Sequence, residues 1–63
     1  MNKRTYESDD AIFITVDTAA RITSLGKNTV RKLAEESRSG RKFGRAYRIH
    51  RQAFLSYLNS LEA

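Results

Sequence analysis

The stretch TVDTAARITSLGKNTVRKLAEE, residues 15–36, contains two short segments with helical spacing, separated by Ser-Leu-Gly. In the first segment, small and apolar residues recur every three or four positions, as on one face of a helix. These residues are Val16, Ala19, Ala20 and Thr23. Thr15 is the expected N-cap, and Asp17 falls in the first turn, where the helix dipole favours an anion. The segment therefore predicts a helix that begins after Thr15.

The second segment predicts a helix from Lys27 to Ser37. Its inward-facing residues are expected to be Val30, Leu33 and Ala34. At about 100° per residue, a polar set falls on the outer half of the helix. This set consists of Asn28, Arg31, Lys32 and Glu35. Gly26, just before the helix, is suited to a positive φ or to capping. Two short helices joined by such a turn are typical of a helix-turn-helix.

The basic stretch after the second helix predicts a β-hairpin. Two very short strands, Arg41–Phe43 and Tyr47–Ile49, are expected around a turn at residues 44–46, with aromatic and apolar side chains as cross-strand pairs. Gly40 is expected at the C-terminal end of the preceding helix. The aromatic rings of the hairpin are interpreted as core residues, with stacking on nucleic-acid bases as the alternative.

Apolar residues also lie at both ends of the predicted domain. Residues 11–15, AIFIT, predict a brief strand with Ile12 and Ile14 on one face. Residues 51–63 predict a helix with an apolar stripe. The stripe contains Phe54, Leu58 and Leu61. His50, the only histidine, has no second candidate ligand or nucleophile beside it, so we expect a surface or helix-start role.

Charge is distributed unevenly along the chain. The net charge is +5, yet residues 21–51 hold ten of the 12 Lys and Arg residues and only two carboxylates, Glu35 and Glu36. From Arg38 to Arg51 there are six cations and no carboxylate. Such a concentration raises the local potential and favours a polyanionic partner such as nucleic acid. The alternative is an ordinary solvated surface rich in Lys and Arg.

Several classes of protein are disfavoured by what the sequence lacks. There is no cysteine, so neither a disulfide framework nor a thiolate zinc site can form. No apolar stretch approaches the roughly 18 residues of a membrane span, and no signal peptide is recognisable. We expect a cytoplasmic protein with no membrane, metal or cofactor partner. No enzyme is expected, because no nucleophile with a base and no phosphate-binding loop is recognisable.

The order of the segments predicts the fold class. Helix, glycine turn, helix, basic hairpin and final helix predict an α+β fold of the small winged-helix type, with a two- or three-stranded antiparallel wing. This domain is expected to span residues 11–63, after a flexible tail in residues 1–10. The major groove of DNA is about 12 Å wide and admits one helix. An arginine at a hairpin tip can enter the adjacent minor groove.

The second helix carries the predicted major-groove residues. They are Lys27, Asn28, Thr29, Arg31, Lys32 and Glu35. The amide of Asn28 suits adenine and the guanidinium of Arg31 suits guanine, while Lys27 and Thr29 suit phosphate. Glu35 is expected to orient Arg31 or to disfavour other DNA positions. The alternative is a solvated helix face with an Arg31–Glu35 ion pair.

The hairpin carries the predicted wing residues. They are Arg41, Lys42, Arg45 and Arg48. Arg45, at the expected tip, is the minor-groove candidate, with an ordinary surface loop as the alternative. The other three are expected to contact the DNA backbone and to position the protein without reading sequence.

The residues also resemble a known family. The likeness includes Ala19, the Gly-x-Asn of Gly26 and Asn28, Leu-Ala-Glu-Glu at residues 33–36, and a Tyr-Arg-Ile then Arg-Gln-x-Phe run within residues 47–54. With these features the chain resembles the small excisionases of conjugative transposons, and more distantly the MerR-like and phage excisionase winged helices.

The resemblance extends roughly from Ile12 to Leu61, and it implies a function that composition does not. Such excisionases bind double-stranded DNA beside recombination sites, bend it, and assist a tyrosine recombinase (the integrase) towards excision. We also expect further copies of this chain to bind at adjacent DNA sites. Three alternatives stay open: a small transcriptional regulator, a basic RNA- or ribosome-associated protein, and a protein-interaction module such as an anti-repressor.

Overall fold

The computed structural model describes residues 11–61, which form three helices and three strands. In chain order these are β1 (Phe13–Ile14), α1 (Val16–Thr23), α2 (Lys27–Glu36), β2 (Gly40–Phe43), β3 (Ala46–His50) and α3 (Arg51–Ser60). The tail predicted for residues 1–10 and the last two residues of the predicted final helix lie outside the described residues.

The three strands form one antiparallel sheet with β3 in the centre, in the order β1-β3-β2. Ile14 pairs with Ile49 across β1 and β3, and Gly40 pairs with Ile49 across β2 and β3. A helix pair, a three-stranded antiparallel wing and a final helix together confirm the predicted α+β winged-helix fold.

The core is small and lies between the helices and one face of the sheet. Every element except β2 contributes at least one fully buried side chain to it. These residues are Ile14, Ala19, Val30, Ala34, Ile49 and Phe54. Because neighbouring strand residues point to opposite faces, Phe13 and His50 lie on the face that carries none of these core residues. A small core of this kind makes each packing contact important for stability.

The helix pair forms as predicted, but the roles of its turn residues differ. Thr15 caps α1, since its hydroxyl oxygen accepts a hydrogen bond of 3.1 Å from the Thr18 amide. The left-handed residue of the turn is Ser24, with φ of 62°, and not Gly26. Gly26 has φ of −69° and occupies the N-cap position of α2. A Cβ added to Gly26 would meet no atom within 4 Å. Of its two predicted roles, only capping is observed.

The end of α2 also differs from the prediction for Gly40. The helix ends at Glu36, Arg38 takes the left-handed conformation with φ of 60°, and the Ser39 amide donates to the Ala34 carbonyl at 3.0 Å. Gly40 is instead the first residue of β2. Its lack of a side chain has a steric reason, because a Cβ there would overlap the hydroxyl of Tyr47.

The hairpin turn is shorter than predicted. Only Gly44 and Arg45 connect β2 to β3, and Ala46 already pairs with Phe43. Gly44 has φ of +62°, which glycine adopts without steric cost. Phe43 is not a core residue: it is 52% exposed and packs edge-on against Phe13, with ring centroids 5.3 Å apart.

Two apolar residues that the sequence placed on the inward faces of β1 and α3 are exposed. Ile12 is 69% exposed, because β1 begins at Phe13, two residues later than predicted, and Ile14 alone of the two isoleucines is buried in the core. Leu61 is 53% exposed and follows the end of α3. His50 does have the predicted helix-start role, since its Nδ1 accepts a hydrogen bond of 3.1 Å from the Ala53 amide.

Candidate nucleic-acid interface

The outer side of α2 is a continuous polar surface. All six predicted major-groove residues are exposed, whereas Val30 and Ala34 on the opposite side are fully buried. The exposed residues are Lys27, Asn28, Thr29, Arg31, Lys32 and Glu35. The helical period separates the two sets, because residues four apart lie above one another while neighbours diverge by about 100°.

Lys27, at the start of α2, is paired with the first helix. Its Nζ lies 2.9 Å from Oδ1 of Asp17, and both side chains are more than two-thirds exposed. An exposed pair of this kind contributes little to stability and is easily exchanged for another anion. The Lys27 side chain is therefore directed towards α1 and remains exposed to solvent.

Arg31 and Glu35 both contact Tyr47 of β3, in place of the ion pair with each other that the sequence suggested. The guanidinium carbon of Arg31 lies 4.4 Å from the centre of the Tyr47 ring, which is a cation–π contact. The Tyr47 hydroxyl donates a hydrogen bond of 2.8 Å to Oε2 of Glu35. Desolvation by burial, followed by this hydrogen bond, raises the pKa of Tyr47. These contacts join the middle of α2 to the hairpin.

The four cations of the hairpin are divided between its faces and its tip. Lys42 pairs with Tyr47, so it lies on the sheet face that Arg31 contacts. Arg41 and Arg48 pair with each other on the opposite face. Arg45 is an exposed residue of the connecting turn.

Two of these cations also hydrogen-bond to the backbone. Arg41 donates from its guanidinium to the carbonyl oxygens of Arg38 and Gly40, and Arg48 donates to the carbonyl oxygen of Tyr47 at 3.0 Å. Lys42 and Arg45 are exposed. The wing therefore offers Lys42 on the α2 side and Arg45 at its end.

Tyr47 is the residue whose position at the interface was not predicted. It was interpreted as a core residue, yet it is only partly buried. Its side chain extends from β3 to the outer side of α2. A glycine placed across the hairpin from an aromatic residue was the available signal. Gly40 lies two pairs away from Tyr47 in the strand register and on the same face of the sheet, close enough for the ring to cover it.

Arg51 is held by the backbone that precedes β1. Its Nε donates to the carbonyl oxygen of Ala11 at 2.9 Å, and its amide donates to the carbonyl oxygen of Ile12 at 3.0 Å. This residue therefore belongs to the scaffold that joins β1 to the start of α3.

Residues 11–61 contain neither a cluster of metal ligands nor a helix that could span a membrane. In that range no group of three His, Cys, Asp or Glu side chains is arranged to hold a metal ion. None of the helices in the same range has the length and apolar character required to cross a membrane.

Comparisons with known proteins identify the family to which the chain belongs. Neither the curated proteins nor the solved structures gave a match. A family model described as a helix-turn-helix domain matches residues 13–62, which include all six elements of the fold. In such domains the second helix of the pair is the one that enters the major groove. The chain therefore belongs to the helix-turn-helix domain family, and this membership indicates that it binds DNA.

Proposed function

We propose that this protein is a sequence-specific architectural factor for double-stranded DNA, and that it acts as an excisionase. In this role it binds and bends DNA near the ends of a mobile element and assists a tyrosine recombinase in excision. The observation that carries the proposal is the contact of Arg31 with Tyr47, which joins the exposed side of α2 to a cationic hairpin. The resemblance of residues 12–61 to the excisionases of conjugative transposons supports the recombination role.

In the proposed complex, α2 lies in the major groove. Arg31 donates to the acceptors of a guanine, and the side-chain amide of Asn28 pairs with an adenine. Lys27, Thr29 and Lys32 bind phosphate oxygens and so fix the position of the helix without reading sequence. All five side chains are exposed on α2, and the Lys27–Asp17 pair is weak enough to open for a phosphate.

The hairpin acts as the wing in this proposal. Arg45 enters the minor groove from the turn, and Lys42 binds backbone phosphate on the side of α2. Arg41 and Arg48, on the other face, supply longer-range positive potential and further backbone contacts. Neutralising phosphates on one side of the duplex favours a bend towards the protein, and the cost of bending is offset by the added contacts.

A domain of this size provides a limited interface. Single DNA-binding modules bury roughly 600–1,000 Å² of protein surface, which is small for tight and specific binding. We therefore propose that several copies occupy adjacent sites at the end of the element. The tyrosine recombinase is then assisted by the shape of the bent DNA that these copies create.

The decisive experiment combines footprinting with an excision assay. We expect the purified protein to protect the ends of its parent element, and excision by the recombinase to fall sharply when the protein is omitted. Arg31→Ala should fail to restore excision, whereas Gln52→Ala, on the exposed part of α3, should restore it fully. Protection of promoters with no effect on excision would identify a transcriptional regulator instead. A strong preference for structured RNA at equal salt would contradict the proposal altogether.

The wing is tested separately through the bend. Replacing Arg45 by Ala should reduce the bend angle and the preference for flanking sequence, while selectivity in the major groove changes little. Circularly permuted duplexes in a gel-shift series measure the bend, and Gln52→Ala is again the control. An unchanged bend angle and affinity would remove the wing from the mechanism.

A further inference from the structure

Tyr47 contacts two residues of α2: Arg31, to which we assign a contact with DNA, and Glu35. Arg31 lies over its ring at 4.4 Å, and Glu35 accepts the hydrogen bond of its hydroxyl at 2.8 Å. We infer that Tyr47 is a positioning residue for base recognition by Arg31, and that Glu35 acts through the Tyr47 hydroxyl and not on DNA. This inference rests on the proposed function, and it identifies what determines selectivity at the Arg31 base pair.

The contact with Tyr47 restricts Arg31 before DNA binds. A free arginine side chain has many rotamers, and ordering it on binding lowers affinity. The ring face attracts the guanidinium through its π electrons, and this contact leaves the five N–H donors free for hydrogen bonds. Arg31 thus keeps the donors that a bidentate contact with guanine requires. The Tyr47 ring restricts the positions of its guanidinium before DNA binds.

Glu35 is engaged by the same tyrosine. As a reader of DNA, a glutamate would accept a hydrogen bond from the amino group of cytosine. In the structure, Oε2 of Glu35 already accepts the Tyr47 proton, and the carboxylate would be repelled by nearby phosphates if it moved outward. The raised pKa of Tyr47, caused by burial and then by this hydrogen bond, keeps the phenol neutral and able to donate.

Gly40 fixes the position of the ring from the other side. The phenol of Tyr47 covers this glycine so closely that a Cβ would overlap its hydroxyl. The ring is therefore held between the glycine backbone of β2 and the guanidinium of α2. The consequence is a tyrosine with little freedom to move, placed where α2 meets the hairpin.

The chain contains a matched control for this arrangement. The Tyr57 hydroxyl donates to Oε1 of Glu36 at 3.2 Å, which joins α3 to the neighbouring residue of α2. The two pairs have the same chemistry, but Arg31 lies over the ring of Tyr47. Removing the second pair should therefore leave base discrimination by Arg31 unchanged.

The experiment compares Glu35→Ala, Tyr47→Phe and the double variant. The probes are the footprinted duplex, versions of it altered at the base pair that Arg31→Ala identifies, and random duplex of equal length. Discrimination is the ratio of affinities for the first two probes. We expect it to fall equally in all three variants, by no more than the about two- to fivefold that complete loss of an exposed cation–π contact would cause, because the ring loses the hydrogen bond that fixes it beneath Arg31. Affinity for all three probes should rise together in Glu35→Ala, because a negative charge is lost.

An equal loss of discrimination in all three variants is the result that identifies this role, because each variant removes the same Tyr47–Glu35 hydrogen bond. Glu35→Gln keeps an acceptor oxygen and should restore discrimination. The control pair Glu36→Ala and Tyr57→Phe should leave it at the wild-type value. In the Arg31→Ala background, Tyr47→Phe should have no further effect on discrimination, whereas a purely structural role would weaken binding to every duplex alike.

Two results would overturn the inference while leaving the proposed function intact. One is wild-type discrimination in Tyr47→Phe and Glu35→Ala. The other is a further loss when Glu35→Ala is added to Tyr47→Phe, because Glu35 would then contact DNA itself. A wild-type protein with no sequence preference would overturn the proposed function, and the inference with it. Circular dichroism spectra of each variant verify that the fold is retained.

Discussion

At the scale of single residues, Arg31 and Lys32 are neighbours on α2 with different surroundings. Both are exposed, but only Arg31 has the Tyr47 ring beneath it. We expect Arg31→Ala to cost about 1–3 kcal/mol at one base pair and to relax the preference there. Lys32→Ala should weaken binding to all duplexes alike and reduce the salt slope by about one. Titrations at several salt concentrations, on specific and random duplexes, separate the two effects. An equal loss on random DNA would make Arg31 a phosphate contact.

Gly40 and Gly26 give a second prediction at this scale. A Cβ at Gly40 would overlap the Tyr47 hydroxyl, whereas one at Gly26 would meet nothing within 4 Å, and neither glycine has a positive φ. Gly40→Ala should therefore lower the free energy of unfolding by about 1–3 kcal/mol through overpacking. Gly26→Ser should be neutral or slightly stabilising, because serine adds a side-chain acceptor at the N-cap. Urea unfolding of both variants measures this difference, and equal stability would contradict the role assigned to Tyr47.

At the scale of elements, His50 joins the central strand to the last helix. It is the final residue of β3 and also the N-cap of α3, where its Nδ1 accepts from the Ala53 amide. His50→Ala should lower the free energy of unfolding by about 1 kcal/mol, the usual cost of a lost cap. His50→Asn offers another capping acceptor and should recover most of that loss. Thermal unfolding followed by circular dichroism measures both variants, and an intact stability in His50→Ala would show that the cap is unimportant.

The elements themselves were largely predictable from the sequence, because their signals are local. The spacing of Val30 and Ala34, the capping residue Thr15 and the basic hairpin each depend on a few neighbouring positions, and the structure confirms them. The left-handed residues were not predictable in the same way. Ser24 and Arg38 adopt positive φ, two residues before the glycines that were expected to end or cap the helices.

The candidate site was only partly predictable for a related reason. Exposure of the polar face of α2 follows from the helical period, so the outward position of Asn28 and Lys32 could be read from the sequence. The role of Tyr47 depends on contacts between residues that are 12 and more positions apart, and the strand register creates them. The length of the turn fixes the register of a hairpin, and this turn is one residue shorter than predicted.

At the scale of the whole molecule, a small core is supplemented by polar contacts between distant segments. Arg51 ties the start of α3 to the backbone before β1, and two tyrosine–glutamate hydrogen bonds tie the hairpin and α3 to α2. The two tyrosine–glutamate hydrogen bonds fix α2 against the hairpin and α3 while its basic side stays exposed to solvent. The basic surface and the scaffold therefore share residues, so that changes to one are expected to affect the other.

The hydrogen bond of Tyr47 also predicts how the free energy of unfolding depends on pH. Desolvation and the hydrogen bond to Glu35 raise the pKa of Tyr47 above its ordinary value of about 10, so the folded state favours the neutral phenol. Its contribution to stability is complete below about pH 10 and is lost as the pH rises through the raised pKa. The free energy of unfolding should thus fall between about pH 9 and about pH 11 more steeply in the wild type than in Tyr47→Phe. Urea unfolding at the two pH values measures the difference, and lysine deprotonation affects both proteins alike. An identical decline in both would mean that the Tyr47 proton is not linked to folding.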